Sequence, residues 1–304
     1  MNPLISVIVP VFNRSNEISQ CVSSVLASNL NSFELILIDD QSSDDSYEII
    51  KSFDDQRVKV GQSPFRKNGN VARNAGAKLA RGKYLTFLDS DDLFLPSRLS
   101  DLIQDLHEIT VEDFIHLSAF KVKQGEKVSE ISYPSGAFDS EYIARKLTMH
   151  AIPITCSTIT IPKSFFESIG GYDENVSRHQ DRDLLLGACE RDAIFYLQSA
   201  FGVLKIQSDS SFSRSSKNYF EPLCYLVIKH TNYFNDVPRS FIGYLICRGF
   251  FQSIMGGRFF NSNDRNAIRI LLDCFNLSLF DCLRSYFQGK KLRRYETVKF
   301  EIGG

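Results

Sequence analysis

Two hydrophobic periods take turns along the first hundred residues, and this alternation restricts the fold more than any other property of the chain. Leu4 to Val9 is a short β-branched run. Ile18, Cys21, Val22, Val25 and Leu26 then recur at i, i+3, i+4, i+7 and i+8, the stripe of an amphipathic helix. Phe33 to Ile38 reads as a second strand, Asp45 to Phe53 as a helix behind an acidic, serine-rich start, and Arg57 to Val60 as a third strand. Asn70 to Ala80 follows as a helix and Lys83 to Leu88 as a fourth strand. Repeated strand-helix units predict an α/β fold with a mainly parallel sheet and helices on both faces. Such sheets bind ligands beyond the carboxyl ends of their strands.

Past residue 100 the pattern predicts strand from Phe114 to about Ile131 with a hairpin turn at Gln124-Gly125-Glu126, then helix over Phe138 to Met149. A strand over Ser157 to Ile161 and a helix over Asp181 to Arg191 come next. After the serine-rich stretch from Ser208 to Ser216 the character turns helical, with Ile242, Ile246, Phe250 and Ile254 at i, i+4 spacing. A boundary is therefore expected near residue 215, giving a domain over 1–215 with halves 1–95 and 96–215, and a helical region over 216–304.

Composition excludes several classes of function. At 43% hydrophobic and 23% charged residues the chain can bury a core, which rules out disorder. Thirty-five basic against thirty-six acidic residues leave a net charge of −1, so no uniform positive field marks it for nucleic acid. The N-terminal apolar run lacks a basic leader and contains Ser6 and Pro10. Phe241 to Phe260 is broken by Arg248, Gln252 and Arg258, so neither a secretory signal nor a span is expected and the cytoplasm is the expected location. Seven scattered cysteines without zinc-ligand spacing read as reduced thiols.

In this register three strands end on chemistry: Pro10-Val11-Phe12-Asn13, Asp39-Asp40, and Asp89-Ser90-Asp91-Asp92. Three carboxylates within four residues repel one another. The loop either caps the following helix or holds a hard cation such as Mg²⁺ or Mn²⁺. Arg73, just upstream, is either a surface helix residue or a partner for phosphate oxygens that a metal leaves uncovered. The Phe12 ring either packs in the core or stacks on a nucleobase whose N–H the Asp40 carboxylate accepts. No phosphate-binding G-x-x-x-x-G-K-[ST] loop follows a strand, and no G-x-G-x-x-G follows the first strand.

Five segments, Ser6 to Arg14, Leu35 to Asp44, Ala72 to Gly76, Gly82 to Asp92 and Gly170 to Glu174, resemble in order and spacing the motif series of family 2 glycosyltransferases with the GT-A fold. The resemblance covers residues 4 to about 192. It implies an inverting transferase that moves a sugar from a nucleotide-sugar, most often a UDP-sugar, to a saccharide or lipid-linked glycan acceptor with a divalent cation. It places Phe12 and Pro10, with Asn13 beside them, at the base, Asp40 on the base N–H, and Arg73 near the nucleotide or its diphosphate. Asp91 matches the metal ligand, while Asp89 and Asp92 would face the ribose, the sugar or the metal's waters.

The general base comes in this family from an acidic pair after the Gly-Gly-aromatic-Asp-Glu turn. Here that pair is Gln180-Asp181, so Asp181 is the expected base. Asp183 and His179, which could touch the diphosphate or metal, are secondary candidates, and Tyr172-Asp173-Glu174 is expected to shape the acceptor side. A sugar nucleotidyltransferase would want a glycine-rich basic loop where Pro10 to Ser15 stands. A non-catalytic nucleotide-binding relative remains the other reading. The basic cluster Gly289 to Tyr295 either is solvated or rests on an anionic membrane surface.

Overall fold

The structure is a computed structural model in which residues 3–28, 30, 32–65, 68–207, 219–255 and 261–292 are described. The chain forms two compact units: residues 1–143, 153–175 and 180–208, and residues 144–152, 176–179 and 209–304. The expected boundary near 215 and the serine-rich stretch from Ser208 to Ser216 lie outside the described residues. Arg293 to Tyr295 of the basic cluster lie outside them as well.

The first unit is built on one ten-stranded mixed sheet. Strands β1 (Ile5–Val11), β2 (Phe33–Asp39), β3 (Val58–Gln62) and β4 (Tyr84–Phe87) alternate with helices α1 (Ile18–Leu26), α2 (Ser46–Lys51) and α3 (Gly69–Leu79). They pair in parallel, as the alternation predicts, and in the order β3-β2-β1-β4. Every residue of β1 and β2 is buried, because helices cover both faces of a parallel sheet.

Beyond β4 the sheet turns mixed. Strand β5 (Leu93–Phe94) and helix α4 (Arg98–Glu108) lead to the hairpin β6 (Phe114–Gln124) and β7 (Lys127–Ile131), then to β8 (Gly136–Phe138) and helix α5 (Ser140–Thr148). Strand β9 (Ile159–Pro162) runs antiparallel between β4 and β6; after α6 (Lys163–Ser168) and α7 (Gln180–Cys189), β10 (Ile194–Ile206) lies parallel to β6.

Two departures from the sequence expectation have physical causes. The strand expected from Ser157 starts at Ile159, after a 3₁₀ turn over Cys156–Thr158, because Ser157 leaves the ladder to bind the acidic loop: its Oγ accepts the Asp89 N–H at 3.1 Å and donates to Asp92 at 2.7 Å. Strand β10 escapes the periodicity because its pairing with β6 shifts register on either side of Phe201. Gly202 sits in that irregularity, where a Cβ would lie 2.5 Å from Cδ of the buried Arg98 and 2.8 Å from Ser118 Oγ.

A buried carboxylate ties the opposite end of the sheet. Glu34 on β2 accepts from Ser6 Oγ at 2.7 Å and from the Arg81 N–H at 2.6 Å, and pairs with Lys59 at 2.7 Å. Burial alone would raise its pKa, but the bonds from Lys59, Arg81 and Ser6 outweigh burial and hold it below its ordinary 4.5. A folded-state pKa below the unfolded value contributes stability that is complete above 4.5 and fades as pH falls through the folded value. Glu34→Gln is therefore expected to cost about 2 kcal/mol at pH 7. Urea unfolding should show that deficit shrinking below pH 4.5; a deficit that grows in acid would refute the assignment.

The described part of the second unit is helical: α8 (Phe220–Lys229), α9 (Thr231–Phe234), α10 (Arg239–Met255), α11 (Ser262–Cys274) and α12 (Leu279–Leu292). Helix α10 meets α12 where Gly243 faces Cys282 and Ser285, and the rings of Tyr244 and Phe251 stack on Tyr286 at 5.9 and 4.7 Å. Asn261 and Asp264 close a capping box on α11. Ile242 and Ile246 of the expected stripe are buried.

Candidate active site

The carboxyl ends of β1, β2 and β4 are neighbours, so the loops that follow them share one edge. In register Val11 lies beside Asp39 and Ile8 beside Phe87. Asp40, directly after β2, and Asp89, beyond β4, thus lie on either side of the end of β1. Phe12 stands between them, half-buried, on the loop after β1, and Pro10 is buried in the strand itself. The Asp40 N–H donates to Val11 O at 2.7 Å, and Ser63 Oγ, beyond β3, donates to its carboxylate at 2.6 Å. Asn13, at φ 50°, accepts the Ser43 N–H at 2.8 Å and so staples the first loop to the second.

The acidic loop carries its charges in three different ways. Asp89 pairs with Arg73 of α3 at 2.6 Å and lies 3.8 Å from Lys205 Nζ. Arg73 is itself buried, its guanidinium 5.4 Å from the Tyr172 ring. Asp91 meets Arg14 at 3.2 Å across a partly exposed rim. Asp92 is fully buried and accepts from Ser157 Oγ, the Ile206 N–H at 3.1 Å and Lys205 at 3.4 Å.

The resemblance gives Asp92 to the ribose, the sugar or the metal's waters, whereas here its side chain is closed off from solvent. It is an internal strut between the loop and β10, made possible because β5, directly after it, pairs with Leu204 and Val203. Sequence reasoning passed over two residues of this cluster, Lys205 and Arg14. The first stands alone on an irregular strand, whereas the second directly follows the Phe-Asn pair and was within reach.

Asp181 opens α7 and completes the group. Its Oδ1 is shut off from solvent, and no donor reaches it among the described residues. Burial and the negative charge of Asp89 raise its pKa, against the pull of Arg73, Lys205 and Arg182. Asp183 is buried two residues further along the same helix. His179 belongs to the second unit, at φ 65°, with its ring edge-on to His150 and Tyr219 at 5.8 and 6.4 Å.

The turn before α7 is clamped by asparagines of α3. Asn74 donates to Tyr172 O at 2.8 Å and accepts the Tyr172 N–H at 3.0 Å; Asn70 donates to Asp173 O and the N-cap Asn68 to Glu174 O. Tyr172 points into the core, its hydroxyl 2.9 Å from Cys156 Sγ and its ring edge-on to Phe87, so it is scaffold rather than acceptor surface. Gly171, at φ 68°, leaves space that a Cβ would take only 2.9 Å from Asn74 Oδ1 and from the Phe166 ring. Gly171→Ala should lower stability by about 2 kcal/mol in thermal or urea unfolding; an unchanged midpoint would remove the clamp from the account.

Among the described residues four carboxylates, Asp89, Asp91, Asp92 and Asp181, thus share four cations, Arg14, Arg73, Lys205 and Arg182, so the cluster has no positive charge to spare. A diphosphate entering here needs further positive charge. Among the described residues no group of three or more His, Cys, Asp or Glu side chains is arranged to hold a metal ion on its own. Asp91 fits the mode in which one or two carboxylates and the substrate's phosphates share an Mg²⁺-like ion. Its carboxylate is raised by burial and by Asp89, so added positive charge relieves it.

Residues 6–164 match the sequence profile of Glycosyl transferase family 2. The chain belongs to that family. It is 28% identical over 190 residues to an uncharacterized glycosyltransferase of Rickettsia prowazekii, an overlap of 60% of this chain and 58% of the relative. The chain thus spans less than two-thirds of that protein's length. It is 29% identical over 233 residues to the GalNAc(5)-diNAcBac-PP-undecaprenol beta-1,3-glucosyltransferase of Campylobacter jejuni, covering 72% of this family 2 chain and 70% of that enzyme. The crystal structure of S. aureus TarS 1-349 in complex with UDP-GlcNAc superimposes with a TM-score of 0.69 at 16% identity, over 98% of this chain and 94% of that 1-349 chain. The family 2 chain has the GT-A fold.

Proposed function

We propose that this family 2 chain is an inverting glycosyltransferase that moves a sugar from a UDP-sugar to a hydroxyl of a saccharide or lipid-linked glycan in surface polysaccharide synthesis. The observation that carries the proposal is Asp181: a carboxylate with a raised pKa and an unpartnered buried oxygen, held in the same charge cluster as Asp89, Arg73 and Lys205. The name of the Campylobacter relative supports a lipid-diphosphate-linked acceptor and the TarS complex supports a uridine nucleotide. The proposed division is a nucleotide half over 1–95, an acceptor half over 96–215 and a helical region over 216–304, working at the cytoplasmic face of a membrane.

In this reading Phe12 and Pro10 line the base and Asp40, fixed by Ser63, accepts its N–H. Arg73 and Arg14 stand where the diphosphate lies, each now neutralised by a carboxylate it can share. Asp91 would hold Mn²⁺ or Mg²⁺, which supplies positive charge to the departing nucleoside diphosphate. Asp181 takes the acceptor's hydroxyl proton as that oxygen bonds to the anomeric carbon. The carbon–oxygen bond to the diphosphate breaks on the opposite face, which inverts the configuration. The raised pKa makes Asp181 a stronger proton acceptor than an ordinary carboxylate.

A thermal-shift screen of UDP-, GDP- and dTDP-sugars with and without Mn²⁺ should show selective stabilisation by a UDP-sugar. The product's anomeric configuration, read by NMR, should be opposite to the donor's; retention would overturn the mechanism.

A further inference from the structure

Apolar side chains left in water concentrate on one helix. Leu279, Phe280, Leu283 and Phe287 of α12 are 58%, 74%, 41% and 61% exposed. At 3.6 residues per turn they share an arc roughly 100° wide. Beside it lies a second arc, Cys282, Ser285 and Tyr286, which packs on α10. Helix α12 thus satisfies its own unit with one face and presents another, two phenyl rings and two leucines, to solvent. A contiguous exposed patch of this kind marks an interaction surface.

The charges around the patch select its occupant. Arg284 is exposed on the same helix, and the sequence continues from Phe287 through Gln288 and Gly289 into Lys290, Lys291, Leu292, Arg293 and Arg294. No carboxylate falls between Asp281 and Glu296. Asp281 itself is spent on the helix N-terminus, accepting from the Ser278 N–H at 2.9 Å and from its hydroxyl at 2.6 Å. A second copy seated on the patch would bring the same five cations against these, and like charges disfavour that pairing. An anionic lipid surface accepts both features at once. The helix has 14 residues, too few to cross a bilayer, which takes roughly 20, so it would lie in the interface plane. Among the described residues no helix is long and apolar enough to cross a membrane.

We propose that α12 docks the protein on an anionic lipid bilayer, with Phe280 and Phe287 among the acyl chains and the basic character of the surrounding sequence supplying the attraction to the headgroups. The inference rests on α12 and the basic sequence that continues it, so it survives or fails independently of the donor and base assigned above.

Flotation of the full chain with phosphatidylcholine vesicles containing about one-third phosphatidylglycerol tests it, with pure phosphatidylcholine as control. The wild type should float with the anionic vesicles, less with the neutral ones, and less as salt rises. Phe280→Ser with Phe287→Ser should lower partitioning about tenfold or more. Lys290→Gln with Lys291→Gln should weaken it only on anionic vesicles. Because both phenylalanines are exposed, the thermal midpoint and sugar transfer to a water-soluble acceptor should be unchanged in the first variant. Failure of the wild type to float, or equal flotation of the Ser variant, overturns the proposal. So does light scattering that shows a wild-type dimer which the Ser variant breaks, since the face would then belong to a second copy.

Discussion

Asp181→Asn should lower kcat about a thousandfold, the range of a lost general base, while the dissociation constant for the UDP-sugar stays within about a factor of two. Asparagine keeps the shape of the side chain but cannot take a proton. The wild-type rate should fall as pH drops through the pKa of Asp181, because only the ionised carboxylate accepts the hydroxyl proton. Burial and Asp89 set that limb above the ordinary carboxylate range. The residual rate of the variant should lack it. The same substitution removes a charge that has no donor at Oδ1, so the variant should unfold at a higher temperature than the wild type. Full transfer by the variant removes the base assignment, and a lower melting temperature removes the claim that the site is held at a cost.

Lys205→Met is the second large effect. Burial alone would lower the lysine's pKa, but Asp92, Asp89, Asp91 and Asp181 together hold the ammonium charged. Its loss strands Asp92, which is fully buried. Breaking a buried pair from one side typically costs about 3 kcal/mol, or roughly 8 °C in a unit of this size. Removing the other partner as well, in Lys205→Met with Asp92→Asn, should recover most of that loss, because an uncompensated charge costs more than a missing pair. If the single and double variants melt together, Lys205 is not the counter-ion of Asp92.

The half of the molecule that follows strand-helix alternation was legible in the sequence. Strands β1 to β4 and helices α1 to α3 fall within a few residues of where the periodicity puts them, because each buries a full stripe. The motif residues Phe12, Asp40 and Asp89 to Asp92 then follow from strand ends alone. What was not legible depends on contacts between distant parts of the chain. Asp92 reads like its neighbours Asp89 and Asp91, and only the pairing of β5 with β10 turns it inward. Tyr172 reads as a surface motif residue, and only the asparagines of α3 fix it in the core. The exposed face of α12 was invisible for a different reason: sequence gives the stripe but not which arc α10 already covers.

The placement of β10 bears on how the protein is made. This strand completes β6 and delivers the counter-ion of the acidic loop, yet it is the last element of the sheet to leave the ribosome. Until then a nascent chain carries β6 with one edge unpaired and an inward-facing carboxylate without its cation. Closing such a long-range pairing late makes it the natural slow step, and the interval before it the period when a chaperone has most to protect.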